Sequence, residues 1–356
     1  MTTPVTPQMA FTVMNWNLQN FGQYTGGIDW MASAIVEAKA DIVLVEEMIV
    51  NRKKSKGMPK VIIDNFPPQD QAIGLAKHLL ACLKVYDKGG GWKIEHTNAS
   101  CSNADRDAYL FLYRSTPKGS GNQLDVSHTA YAIPDSISVS AIGIYQEGAD
   151  GSKKRKLGFK GSRRPGGGLF ALTSGTTQKT CLTFAFHALA PDRKEREIQH
   201  SIQDAITAAG TTKKQQSADA LVIGGDFNLD YVTNDSFYNH LTYDIDRGSN
   251  PQTMNVAITQ NGYSSLLTKV DEKDPAKPVY KTTHAYDNIL FNGAIGVMPG
   301  TTPYIRDVIG NYAEFLRSKD SSLSLLDATR QAFGKYRTQY GGCVSDHLPA
   351  VATFVI

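Results

Sequence analysis

Polar side chains that can do acid–base and metal chemistry occur where short apolar segments end. The clearest segment is 221–230, with the sequence LVIGGDFNLD. Three apolar residues predict a buried strand, and we expect the two glycines to let the chain turn tightly. Asp226 and Asn228 are two residues apart, so in extended chain they point to the same face. Alone, the segment is more typical of a strand followed by an Asx turn, so the rest of the chain must decide.

The same pattern recurs along the chain. Polar residues at predicted strand ends are Asn17, Glu47, Asp107, His187, Asp226, Asn228, Asp287, Asp346 and His347. Each taken alone has a structural explanation: Asn17 can cap a turn, and Asp107 can neutralise Arg106. Their joint occurrence in one chain favours a common site.

The elements that must position these residues are mostly strands. Apolar patterns predict strands over 11–18, 41–48, 108–113, 136–145, 169–173, 181–186, 279–283, 288–291 and 348–356. Helical spacing covers 28–40, 71–84, 195–209 and, in two pieces, 305–336. We therefore predict one α/β (α+β) domain over 1–356, with two packed sheets and helices outside. Basic loop insertions lie near 51–60 and 115–165, and a helical insertion of unassigned purpose lies near 300–340.

Composition narrows the class of protein. The chain has 356 residues, 41% hydrophobic and 20% charged, which is typical of a globular protein with a sizeable core. No apolar run predicts a membrane span. The first ten residues lack the pattern of a secretory signal, so we expect a cytoplasmic protein; the alternative is export as an effector by a route without such a signal. Four cysteines, scattered without zinc-type spacing, predict reduced thiols, although one or two disulfides stay open.

The formal net charge is only +3, but many of the basic residues are concentrated in two clusters. They are Arg52, Lys53, Lys54, Lys56 and Lys60, and Lys153, Lys154, Arg155, Lys156, Lys160, Arg163 and Arg164. A charge run is often only a solvated loop. The alternative is that both clusters border one mouth and attract a polyanion.

A family resemblance accounts for the order of these features. The blocks that carry it are MNWNLQNFG, DIVLVEEM, RDAYLFLYR, FAFHALAP, GGDFNLD, HAYDNILF and VSDHLPAV. Together they resemble the endonuclease/exonuclease/phosphatase superfamily, and within it deoxyribonuclease I and its bacterial relatives. The resemblance runs from residue 11 to 356, with gaps at the basic loops and at 292–342.

The resemblance implies a fold and a type of chemistry. The fold is a four-layer sandwich, with two mixed β-sheets face to face and helices outside. The activity is hydrolysis of a phosphodiester or phosphomonoester with a divalent metal. Asn17 and Glu47 match the family's metal-binding residues, with Asp346 an additional carboxylate on the metal side and Glu46 a helper. Such hard oxygen ligands favour Mg²⁺, then Mn²⁺; Ca²⁺ stays open.

The remaining residues match the family's acid–base groups. Asp226 and Asn228 match the pair that positions the attacking water and the scissile phosphate. Asp287 matches the partner of His347, and Asp107 the residue that orients His187. A histidine made more basic by a carboxylate can take a proton from water, and a second can bind the phosphate or protonate the leaving oxygen. Which histidine has which role stays open.

Further blocks favour nucleic acid as the substrate. Ala285-Tyr286-Asp287 resembles a block of deoxyribonuclease I, and so does 162–165, in which Arg163 or Arg164 would bind a phosphate. Ile49 and Asp105 depart from the family's arginine and minor-groove tyrosine, so that grip is not carried over.

We therefore expect a DNA endonuclease, nicking or non-specific, of the bacterial toxin or defence-effector type. It would be a monomer, without membrane contact, and its partner an inhibitor or immunity protein. The alternatives are a phosphatase or phospholipase acting on a lipid headgroup or another small phosphoester, an abasic-site repair endonuclease, and a non-catalytic nucleic-acid-binding protein.

Overall fold

The computed structural model of the chain describes most of the predicted elements. The described residues are 9–21, 27–49, 71–97, 107–116, 138–146, 165–174, 176–243, 251–260, 262–266, 280, 282–337 and 345–356. The basic segment 51–60 and most of 115–165 lie outside them. None of the described helices is long and apolar enough to cross a membrane.

The strands are β1 (Ala10–Phe21), β2 (Ile42–Ile49), β3 (Trp92–His96), β4 (Asp107–Arg114), β5 (Ser138–Gln146), β6 (Gly166–Ser174), β7 (Thr177–Ala185), β8 (Ala220–Asp226), β9 (Thr242–Tyr243), β10 (Gln252–Thr253), β11 (Asn255–Val256), β12 (Asp287–Gly293), β13 (Gly296–Val297), β14 (Tyr304–Ile305) and β15 (Ala350–Val355). The helices are α1 (Ile28–Glu37), α2 (Gln71–Tyr86), α3 (Glu195–Gln215), α4 (Asp235–Asn239), α5 (Val308–Lys319) and α6 (Leu325–Arg337).

Two mixed sheets organise these strands. The first sheet has the order β13-β15-β1-β2-β4-β3, with β14 also on β15, and the second has the order β11-β12-β8-β7-β6-β5. Among the described pairs of these sheets, β1–β2 and β7–β8 are parallel and the others antiparallel. A parallel pair needs a crossover, and α1 and α3 lie in the chain between its two strands.

Alternation along the strands explains the layers. On β1, Phe11 and Val13 face the second sheet, whereas Met14 and Trp16 face the helices outside. α1, α2, α5 and α6 cover the outer face of the first sheet. α3 and α4 cover that of the second. The predicted four-layer sandwich is therefore confirmed.

Most predicted elements are present. The segments 169–173 and 181–186 pair as β6 and β7, and the two helical pieces in 305–336 are α5 and α6. The described part of the expected strand at 279–283 contains one bridge, between Leu266 and Thr282. The edge strand β3 was not predicted. Its sequence alternates Trp92 and Ile94 with Lys93 and Glu95, but the strand is only five residues long and mostly exposed.

The two glycines of β8 have a different purpose from the one predicted. They lie within the strand, so they do not make the expected turn. A Cβ on Gly224 would lie 2.8 Å from Asn15 Oδ1 in the facing sheet, and one on Gly225 would lie 2.3 Å from the Phe186 carbonyl oxygen. Glycine is needed here for close approach of neighbouring chain.

Candidate active site

The inner faces of the two sheets bring polar residues together at one edge. On β1, Asn15 and Asn17 continue the row of Phe11 and Val13, and on β8 Asp226 continues the row of Ala220 and Val222. Asn17 Nδ2 donates to Asp226 Oδ2 over 3.0 Å, which joins the ends of the two sheets. Both residues are almost fully buried.

A backbone irregularity turns Glu47 into this site. Alternation on β2 would put Glu47 on the outer face with Val43 and Val45. Instead, its φ of 56° is left-handed, and the pairing of β2 with β4 shifts register between Val45 and Met48. The Glu47 carboxylate thereby accepts from Asn17 Nδ2 over 3.3 Å. A bulge of this kind redirects a side chain, as at many active sites.

Glu46 has a supporting position. It is fully buried, accepts from Asn15 Nδ2 over 2.8 Å, and accepts the backbone N–H of Asp226 over 3.0 Å. Burial, followed by the charges of Asp226 and Asp287, raises the pKa of Glu46 well above its usual range. Glu46 therefore fixes the backbone of Asp226 at the end of β8.

His347 has the predicted carboxylate partner. Its Nδ1 lies 2.6 Å from Asp287 Oδ2. The antiparallel pairing of β12 with β8 positions Asp287 opposite Asp226. The Nε2 of His347 lies 3.6 Å from Asp226 Oδ2. Asp346, with 28% of its side chain exposed, places Oδ1 3.9 Å from the same Nε2.

His187 also lies close to the Asp226 carboxylate. Its Nε2 lies 3.7 Å from Asp226 Oδ2, and its Nδ1 lies 3.4 Å from Glu47 Oε1. Its backbone N–H donates to the Tyr109 hydroxyl over 3.2 Å. Asp107 opens β4, but its side chain lies outside the described part, so its pairing with His187 stays a prediction.

Asp226 and Asn228 form an Asx turn at the end of β8. The Asn228 backbone N–H donates to Asp226 Oδ1 over 3.0 Å, and Asn228 has a left-handed φ of 49°. The two residues singled out in the sequence, Asp226 and Asn228, are therefore the residues that form this Asx turn. Asparagine tolerates this conformation better than most residues.

Electrostatics separate the roles of these groups. Burial raises the pKa of Asp226 from 3.8 to about 6, opposed by the charge of His347 and reinforced by Asp287. Burial lowers the pKa of His347, but Asp287, Asp226 and Asp346 outweigh it and raise that pKa well above its usual range. The surrounding carboxylates therefore favour the imidazolium form of His347, and burial favours the neutral form of Asp226.

The residues present fit a divalent metal ion. Asn17, Glu47 and Asp346 offer hard oxygen donors, the type that Mg²⁺ and Mn²⁺ prefer. Mg²⁺ commonly takes one or two carboxylates and completes its shell with water and phosphate. Glu46, Asp226 and Asp287 are buried carboxylates in this one site, and a cation would offset their charge.

Several supporting residues have no motif in the sequence. Ser264 is fully buried, donates to Asp287 Oδ2 over 2.5 Å, and accepts the Asp287 backbone N–H over 3.1 Å. Tyr336 of α6 donates to the His347 carbonyl oxygen over 2.5 Å, and Trp16 Nε1 lies 3.3 Å from the same oxygen. The helical insertion thus contacts the segment that carries His347. Arg163 and Arg164 lie outside the described residues.

A groove of about 490 Å³ opens beside Asn228. Its lining includes Arg193, Tyr263, His284 and Tyr286. The rings of His284 and Tyr286 stack at 4.7 Å with an interplanar angle of 6°, and Tyr263 is 41% exposed. The groove therefore offers flat ring faces and one arginine, together with the carboxylates of Glu195 and Asp230, next to the buried site.

Comparison with known proteins supports the fold. No protein-family model and no curated protein sequence matches the chain. Among solved structures, an endonuclease/exonuclease/phosphatase from Bacteroides vulgatus matches with 10% identity over 97% of this chain and 98% of its own, at a TM-score of 0.51. ANGEL2, described as a 2′,3′-cyclic phosphatase, matches with 11% identity over 98% and 96%, at a TM-score of 0.51. The chain therefore has the endonuclease/exonuclease/phosphatase fold, which confirms the resemblance in its sequence.

Proposed function

We propose that this protein is a metal-dependent phosphodiesterase that cuts nucleic acid, as a DNA endonuclease. The observation that carries the proposal is the arrangement around Asp226. Two imidazole Nε2 atoms lie 3.6 and 3.7 Å from its Oδ2, on a buried carboxylate at the joined ends of two sheets. Phosphodiester hydrolysis needs such a combination, because the site must neutralise an anion and accept a proton from water.

We assign the proton acceptor to Asp226. Its carboxylate is buried at the joined ends of the two sheets, and its Oδ2 lies within 3.7 Å of both imidazole Nε2 atoms. His347 is surrounded by carboxylates and is better suited to bind a phosphate oxygen as an imidazolium. This assignment differs from the sequence-based expectation that His347 takes the proton from water.

His187 and Asn228 complete the set. His187 lies between Glu47 and Asp226, with Nδ1 3.4 Å from Glu47 Oε1 and Nε2 3.7 Å from Asp226 Oδ2, and we assign to it protonation of the leaving oxygen. Asn228 borders both the Asx turn and the groove, so its amide can donate to the phosphate. Glu47, Asn17 and Asp346 would hold the metal. When bound, Mg²⁺ supplies charge neutralisation and polarises the phosphoryl oxygen.

The groove supports nucleic acid as the substrate class. Successive bases stack on exposed aromatic rings, and an arginine attracts the backbone. Tyr263, the His284–Tyr286 stack and Arg193 supply these features within one groove that reaches Asn228. The lysine- and arginine-rich segments add a polyanion-attracting charge by sequence alone.

The test is nicking of supercoiled plasmid with Mg²⁺, with and without EDTA. We expect metal-dependent nicking in wild type and a loss of at least about a hundredfold in His187→Ala and in His347→Ala. His200→Ala, an exposed histidine on α3, is the matched control and should cut like wild type. Intact plasmid with wild-type protein would refute the endonuclease proposal.

Parallel substrates distinguish the alternatives. Single-stranded RNA, a duplex with one abasic site, a 2′,3′-cyclic nucleotide and phospholipid vesicles should be cut more slowly than plasmid. Faster metal-dependent turnover of any one of these would keep the hydrolytic site and move the substrate to that class.

A further inference from the structure

A second cluster of ligand-type side chains lies on the helices outside the first sheet. Asp29 of α1 and His78 and Cys82 of α2 each offer one donor atom, and these three atoms lie within 4.8 Å of one another. Asp29 and His78 are exposed, and Cys82 is 8% exposed. The hydrolytic site lies at the facing strand ends, so this cluster belongs to a different layer of the fold.

Helix geometry brings these residues together. His78 and Cys82 are four residues apart on α2, so they lie on the same face one turn apart. α1 packs beside α2 against the first sheet, and Cys82 Sγ donates to Asp29 Oδ1 over 3.1 Å. The packing of the two helices thus supplies a third ligand that is 53 residues away in the chain.

We propose that Asp29, His78 and Cys82 bind Zn²⁺. Zinc prefers thiolate, imidazole and carboxylate donors in a tetrahedral arrangement. Zinc–ligand distances of about 2.0–2.3 Å place tetrahedral donors about 3.5 Å apart. The observed spread of the three donor atoms, up to 4.8 Å, needs only small rotations of the two exposed side chains. Water would complete the fourth position on the solvent side.

The donor set also separates this site from a magnesium site. A thiolate and an imidazole favour zinc over Mg²⁺, which prefers oxygen. In the absence of the metal, the Cys82 thiol donates its proton in the hydrogen bond to Asp29. Zinc binding would displace this proton and release it to solvent. The bound ion would join α1 to α2 and stabilise the helix layer, since it binds the folded chain and not the unfolded one. The sequence alone did not indicate this cluster, because Asp29 lies on another helix, 53 residues from Cys82.

Cobalt is the probe that reports a thiolate ligand. Titration of the full-length protein with Co²⁺ should produce the thiolate-to-cobalt charge-transfer band in the near ultraviolet, and Zn²⁺ should remove it by displacement. Cys82→Ser should lose the band. His78→Ala and Asp29→Asn should weaken cobalt binding by about tenfold or more, which is about 1.4 kcal/mol or more. His200→Ala and Cys181→Ala are the matched controls and should keep it.

Thermal unfolding gives a second readout that does not depend on spectroscopy. Zn²⁺ should raise the unfolding temperature of wild type and of Glu47→Gln, whose change is in the hydrolytic site, but not that of His78→Ala. A charge-transfer band that persists in Cys82→Ser, or equal zinc stabilisation of wild type and His78→Ala, would overturn the proposal. Nicking activity plays no part in either measurement, so failure here leaves the proposed nuclease function standing.

Discussion

Ser264 is a structural test of the His347 site that no sequence motif suggests. Its hydroxyl donates to Asp287 Oδ2 over 2.5 Å and accepts the Asp287 backbone N–H over 3.1 Å. Ser264→Ala removes a hydrogen bond to a charged group, which is worth about 1.5–3 kcal/mol. It also leaves a buried N–H without its acceptor, at a further cost of about 1–3 kcal/mol. We expect a total destabilisation of about 2.5–6 kcal/mol.

The neighbouring serine provides a matched control. Ser265 Oγ is buried and makes no hydrogen bond within the described part of the chain, so Ser265→Ala should change the free energy of unfolding by less than about 0.5 kcal/mol. For a chain of 356 residues, each kcal/mol corresponds to about 1 °C in unfolding temperature. In thermal unfolding with EDTA, Ser264→Ala should therefore lower the midpoint by about 2.5–6 °C and Ser265→Ala by almost nothing.

Activity provides the second half of this test. Ser264 orients Asp287, which in turn orients His347. Loss of that orientation should reduce kcat for plasmid nicking by about tenfold or more in Ser264→Ala, with little change in KM. Equal midpoints for the two serine variants, or equal activities, would refute the role that we assign to Ser264.

Three further predictions follow from the same geometry. Folding raises the pKa of Asp226 from 3.8 to about 6. The stabilising contribution of its protonated form is therefore present below about pH 4 and is lost as pH rises through about 6. Over that range Asp226→Asn should gain up to about 3 kcal/mol of stability relative to wild type, while its activity is lost. Urea unfolding in EDTA at several pH values measures this, and a pH-independent difference would contradict it. Gly225→Ala should destabilise the fold by about 1–3 kcal/mol or more, since its Cβ would lie 2.3 Å from the Phe186 carbonyl oxygen. In the same urea assay Gly334→Ala should stabilise slightly, because a Cβ there would meet no neighbouring atom within 4 Å. Similar midpoints for the two variants would argue against the close approach at Gly225. Glu47→Gln should raise the Mg²⁺ concentration for half-maximal nicking by about tenfold, and an unchanged metal requirement would exclude Glu47 as a ligand.

Local patterns in the sequence predicted the sandwich and most residues of the site. Apolar alternation marks which face of a strand is buried. Asp226 is the last residue of β8, as predicted, whereas Asn17 lies within β1, which continues to Phe21. The interpretation of Gly224 and Gly225 as turn residues was wrong, because a glycine that permits a turn and one that permits close packing look alike in sequence.

The position of Glu47 required the tertiary structure. Strict alternation sends its side chain outward, and only the register shift against β4 with a left-handed φ turns it inward. A bulge of this kind depends on how two strands pair, which a single segment does not encode.

The sequence by itself therefore determined which residue types stand at the strand ends, because strand period and strand ends are local properties. The tertiary structure alone decided which distant groups meet them. Ser264 reaches Asp287 from 23 residues away, and Tyr336 reaches His347 through α6. Asp29 meets Cys82 across two helices. Such contacts depend on how sheets and helices pack, and packing brings together side chains that no local spacing connects.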